Sequence, residues 1–235
     1  MILVGIQAHA GMQEAIKVNC PFWPNPQYDI IGLEGDDSPV EWWPDWIKGK
    51  VVSKIRPGRW LGYGFRPTLL VDSIAGMCDF AGDKYEWLLW TECDSIFLNG
   101  SVRPEACKPI AFNALIAGWC PPEWKGGSGA FIHPPFLLSI DVARRWVSMA
   151  RSMSTEHGNG APDVFAPIVC NHAGIPLATI DHVWSCNGLD MRLASKMREA
   201  RKAANNGCWH IHGIKRQDHQ DYILGRTDNF PADTL

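Results

Sequence analysis

This 235-residue chain is predicted to be an α/β protein built on a mainly parallel sheet with helices on both faces. Three observations carry that reading. Strand and helix patterns alternate along the chain, acidic residues follow strand patterns at their C-terminal ends, and 46% of the residues are apolar, ample material for a buried sheet.

Ile2 to Gln7 reads as a strand, and Met12, Ala15, Ile16 and Cys20 have helical spacing before the break at Pro21, giving a βα start. Tyr28 to Leu33 is a second strand that runs out into Glu34, Gly35, Asp36 and Asp37. Residues 38–64, rich in Trp, Pro, Gly and Lys, read as an irregular excursion with a short VVSKI run. Arg66-Pro67 then opens a helix, with Pro in its first turn and Leu69, Leu70, Ser73, Ile74 and Met77 on one side. Next comes a strand over Glu86 to Thr91. Further strands are expected over Ile110 to Ile116 and Ala130 to His133, with a helix beginning at Pro134-Pro135 and running toward Met149. Val164 to Ala173 is helical in pattern, and Ile175 to Val183 reads as a late strand. Residues 1–217 are read as one domain, its first half about 1–100 and its second about 101–217, followed by a polar tail, 218–235.

A net charge of −3 argues against broad electrostatic binding to nucleic acid, which needs a clustered basic surface. None of the eight cysteines forms a C-x-x-C pair, and a chain this long needs no disulfide staples, so reduced thiols are expected. Met1 to Ala10 has no basic leader, and no apolar run approaches the roughly 20 residues of a membrane span. A soluble cytoplasmic protein is the simplest reading, and one compatible with peripheral attachment at a membrane.

The most informative stretch is Tyr85 to Asn99, YEWLLWTECDSIFLN, where an apolar strand ends in Glu92 and Asp94. Carboxylates at the edge of a core need a partner, and no Lys or Arg lies in this stretch. Hard oxygen ligands would suit magnesium or manganese, with positions left for phosphate oxygens. The competing reading is a strand-ending turn whose acids face water. A second cluster is Cys208-Trp209-His210-Ile211-His212-Gly213-Ile214-Lys215. Alternation puts His210 and His212 on one strand face, Gly213 allows close backbone approach, and Lys215 suits phosphate. Structural histidines, or a zinc site using Cys208, compete with that reading.

Together these motifs resemble the nucleotide-sugar glycosyltransferases of the GT-A fold. The resemblance rests on motif order: a strand then Glu92-x-Asp94, Gly127-Ser128-Gly129 before an apolar strand, an acid at Asp163, and a late His212-Gly-Ile-Lys215. The stretch Gly62 to Pro67 is similar to a segment of some bacterial and viral surface-glycan transferases. The resemblance implies a GT-A-like α/β fold and a metal-dependent glycosyltransferase. Such an enzyme moves a hexose or deoxyhexose from a UDP- or GDP-sugar to a glycan or other hydroxyl acceptor, with manganese or magnesium as cofactor.

Carried over, the resemblance makes Asp94 the direct metal ligand, with Glu92 departing from the usual first Asp. His212 becomes the late ligand, with His210 its rival, and Lys215 the diphosphate contact. Ala8, His9, Glu34, Arg66, Glu92 and Cys93 fall on the donor side. Trp124, Gly127, Ser128 and Gly129 fall on the acceptor side, with Trp124 offering a face for a sugar ring or else packing in the core. Asp163 is the candidate base for the acceptor hydroxyl, and an N-terminal helix cap is its plain alternative. Two other functions remain open on sequence: a noncatalytic sugar- or nucleotide-binding protein, and a sugar-phosphate nucleotidyltransferase, although the latter's glycine-rich loop after the first strand is missing.

Overall fold

A computed structural model describes residues 1–54, 67–98, 114–119, 132–153, 162–180, 182–185 and 193–231. Strand β1 (Ile2–Gln7) is buried along its whole length because it runs between two parallel neighbours, β2 (Tyr28–Gly35) and β4 (Trp87–Glu92), and is covered on both faces. Helix α1 (Gln13–Asn19) connects β1 to β2, and β3 (Lys50–Ser53) lies beyond β2 as a parallel edge strand. The irregular excursion thus contributes a strand. Its preceding loop is held to the sheet by Glu34, whose Oε2 accepts from the Val40 amide and Trp43 Nε1, while Lys50 Nζ lies 3.3 Å from Oε1.

Helix α2 (Pro67–Ala81) begins at the proline as the sequence predicts and leads to β4. The far half of the sheet is mixed rather than parallel. Strand β7 (His133–Ser139) runs antiparallel to both β4 and β6 (Leu115–Trp119), and β8 (Leu177–Thr179) pairs parallel with β6. The seven strands stand in the order β3-β2-β1-β4-β7-β6-β8.

One expectation is corrected here: Pro134 and Pro135 belong to a strand, and the helix starts later, as α3 (Ile140–Ser152). Ser139 is the true N-cap, its Oγ accepting from the Val142 amide, with Asp141 in the first turn. The prolines fit the sheet because β4 pairs only with Phe136–Ser139, leaving them at a register shift against β6. Gly118 faces that shift, where an added Cβ would collide with the Pro134 carbonyl oxygen.

Two apolar cores sandwich the sheet. One gathers α2, α3 and α4 (Pro162–Ala173), where Trp146 Nε1 donates to the Ala166 carbonyl and meets Phe165 edge-on. The other packs Ile16, Trp23, Tyr28 and Phe97 beneath the opposite face. A smaller sheet, β5-β10-β9, sits across the strand ends and joins β5 (Ser95–Phe97), β9 (Val183–Trp184) and β10 (His210–His212).

The late apolar stretch is therefore two short strands in different sheets, with residues 180–182 between them and His182 at a φ of 58°. Helix α5 (Ala194–Asn205) was not evident from sequence, and Gln217–Ile223, of which all but Gln217 was expected within a surface tail, forms helix α6. Both helices cover a third cluster around Ile96, Ile211 and Tyr222. Among the described residues no helix is long and apolar enough to cross a membrane.

Candidate metal and donor site

Order in the sheet decides where a site can form. Strands β2 and β4 flank β1 on opposite sides, so the C-terminal ends of these strands form the switch point at which open α/β sheets have their ligand-binding crevice. Glu92 pairs in register with Gln7 at that edge, and the Cys93 amide donates to the Gln7 carbonyl. A tight turn at Cys93-Asp94 then sends the chain into β5, which pairs antiparallel with β10 so that Ser95 opposes His212. This register brings residues from distant parts of the chain to one point.

Glu92 Oε2 lies 2.8 Å and Asp94 Oδ1 3.2 Å from His212 Nε2. One ligand atom from each of the three residues lies within 4.8 Å of the others. Lys215 Nζ stands at the rim, 3.8 Å from Asp94 Oδ2. Gly213, with φ of 100°, turns the chain so that its amide and that of Ile214 both donate to the Asp94 carbonyl. Ser185 Oγ lies 3.2 Å from His212 Nδ1 and fixes the ring from behind.

Burial is severe, and charge answers it. Burial alone would lower the His212 pKa, but the carboxylates of Asp94 and Glu92 outweigh it and lift the ring to about 10. Burial would likewise raise Asp94, yet His212 and Lys215 hold it below its ordinary value. The metal-free cluster is thus a carboxylate pair sharing one imidazolium. Asp94 Oδ1 is buried with no hydrogen bond of good geometry, although it faces the His212 ring. That orphaned oxygen, a second carboxylate and an imidazole form a donor set that suits a divalent cation, and a nitrogen among oxygens favours manganese over magnesium.

His210 sits on the same strand but outside the cluster, with Nε2 3.0 Å from Thr91 Oγ1. Burial first, and the charge on His212 second, keep its pKa well below the ordinary value, so the ring is neutral. Cys93 is wholly buried, and burial raises its thiol well above the usual range. Ala8 and His9 lie at the tip of β1. His9 Nδ1 accepts from the Gly11 amide, and burial together with Lys215 lowers its pKa against the opposing pull of Glu92 and Asp94. Glu34 is buried at the end of β2, its oxygens engaged as described above.

Asp163 stands in the first turn of α4, with Oδ1 accepting from the Val164 amide. Burial raises its pKa, the charge of Glu92 adds to the rise and that of His212 opposes it, so Asp163 shares the field of the cluster. Arg66, Trp124, Gly127, Ser128 and Gly129 lie outside the described residues. Ser185, Thr91 and Asn19 are contacts that sequence reading missed, because a lone polar residue in an apolar stretch carries no spacing signal.

No family model and no curated protein matches the chain. Among solved structures, the galactosyltransferase LgtC in complex with donor and acceptor sugar analogues is similar over 98% of this chain and 98% of that one, with a TM-score of 0.54 at 10% sequence identity. At that identity the likeness speaks for the fold, and the sheet order and flanking helices agree with it: this chain carries the GT-A fold.

Proposed function

We propose that the chain is a metal-dependent glycosyltransferase that moves a hexose or deoxyhexose from a UDP- or GDP-sugar to a glycan or other hydroxyl acceptor. We further read it as a cytoplasmic protein able to work at a membrane periphery. The observation that carries the reading is the convergence of Glu92, Asp94 and His212, with Lys215 beside them, on the crevice where the fold binds ligands. Manganese is the favoured ion, held by Asp94 and His212 with Glu92 completing the set. A bound cation would neutralise charge developing on the departing diphosphate.

The chain's own residues supply the rest. Lys215 places its ammonium where the diphosphate leaves, and Arg66 is proposed to assist it. Ala8 and His9 border the nucleoside, and Glu34 acts there by fixing the loop that carries Val40 and Trp43. Cys93 serves the donor side by holding the turn between the two acids, its amide donating to the Gln7 carbonyl and its carbonyl accepting from Asn19. In an inverting transfer, Asp163 accepts the proton of the acceptor hydroxyl as that oxygen bonds to the sugar carbon and the bond to the diphosphate breaks. Trp124 and Gly127 to Gly129 are proposed on the acceptor side.

Thermal shift with UDP, GDP and their sugars, with and without manganese, tests this. Metal-dependent stabilisation by one nucleoside diphosphate, lost in Asp94→Ala, and slow hydrolysis of the matching donor are expected. Stabilisation by free sugar alone, indifferent to metal and to Asp94, would replace the reading with a binding protein. Pyrophosphate release from a nucleoside triphosphate and a sugar phosphate would replace it with a nucleotidyltransferase.

A further inference from the structure

Behind the cluster lies a fully buried amide. Asn19, the last residue of α1, donates from Nδ2 to two carbonyls: Cys93 at 3.1 Å and Ile214 at 2.7 Å. Cys93 sits between the two acids, and Ile214 sits between His212 and Lys215. One side chain therefore bridges both segments that supply the site. Its Oδ1 accepts from Gln220 Nε2 at 3.2 Å, and Gln220 also donates to the Val18 carbonyl at 2.9 Å. Two carbonyl acceptors and one amide donor fix the orientation of the Asn19 amide, since its oxygen could not face either carbonyl.

We propose that Asn19 is a positioning residue for the Asp94–His212 pair, oriented in turn by Gln220 of α6. The inference rests on the metal-dependent reading above for its consequence in catalysis, but its geometry does not. No other residue type has this reach with two donors and one acceptor at one point: Asp would set charge against two carbonyls, and Leu would leave both without this partner. Partners behind metal ligands commonly change affinity without touching the ion.

The test uses the full chain with Asn19→Ala and Gln220→Ala. Manganese affinity is measured by calorimetry well below each melting temperature, and ring NMR signals of His212 are recorded without metal. Asn19→Ala is expected to weaken manganese binding by roughly 10–100-fold and to shift the His212 ring signals. Gln220→Ala should act in the same direction but less, and it serves as the test if Asn19→Ala does not fold. Folded variants with wild-type affinity and unmoved ring signals would overturn the proposal. A wild-type chain that binds no manganese would defeat the metal reading alone, and shifted ring signals in the variants would still support the clamp.

Discussion

Asp94 and His212 are joined twice. Their side chains approach to 3.2 Å between Oδ1 and Nε2, and the Asp94 carbonyl accepts from the Gly213 and Ile214 amides at 3.0 and 2.7 Å. Neither side chain can shift far unless the backbone of the other moves too. The cluster of Glu92, Asp94 and His212 behaves as one unit, and most predictions concern that unit.

Metal should displace a proton. His212 is held as imidazolium up to about 10 in the metal-free protein, whereas an ion requires the neutral ring. Manganese binding near neutral pH is expected to release about one proton, read as a dependence of calorimetric heat on buffer ionisation enthalpy. Apparent affinity should rise with pH until the ring titrates. Equal heats in two buffers would refute this.

Metal-free stability should follow the same pair. His212 is raised from 6.5, so its contribution is fully present below that value and lost as pH rises through about 10. Asp94 is lowered from 3.8, so its contribution is present above that value and lost as pH falls through its depressed pKa. Melting temperature with chelator present should therefore fall on the alkaline side, and His212→Gln should flatten that fall.

The two acids should not be equivalent. The Asp94 side chain is 3% exposed and that of Glu92 27%. Asp94→Asn strips a buried charge pair of one partner and is expected to cost about 3 kcal/mol and to abolish manganese binding. Glu92→Gln is expected to cost about 1 kcal/mol or less and to leave weakened binding. Chemical denaturation and calorimetry on both variants decide it.

Asp163 should set an acid limb. Burial raises its pKa, and a base must be ionised, so transfer is expected to fall as pH drops through that raised pKa. Asp163→Asn should remove that limb and lower kcat by roughly 10²–10⁴-fold while donor binding persists. An unchanged profile would leave Asp163 as an acid in the first turn of α4 that serves only the helix.

Gly118→Ala should destabilise without touching the site. The new methyl would meet the Pro134 carbonyl, a backbone atom that cannot swing aside. A cost of about 2–3 kcal/mol is expected, seen as a loss of several degrees in melting temperature.

Sequence made the first half largely legible, because β1, α1, β2, α2 and β4 have clean apolar periods bounded by Gly, Pro or acid. It also brought out Glu92, Asp94 and His212, whose residue types are conspicuous beside apolar neighbours. The Pro134-Pro135 reading failed because proline marks both a helix start and a strand irregularity, and only the register of β6 against β7 separates them. Helices α5 and α6 were obscured for a different reason: each is short, polar on one side, and held by the small third cluster rather than by its own pattern. Ser185 and Asn19 could not be found at all, since their partners are fixed by tertiary register.

Among the described strands, β10 lies farthest along the chain, yet it carries the nitrogen that answers Glu92 and Asp94. During synthesis the two acids would therefore stand without that nitrogen until β10 has been made. On the metal-dependent reading, an ion bound there with full affinity would report that β10, and the helix α6 that follows it, are in place. A chain cut before Cys208 would keep its acids and lose the means to use them.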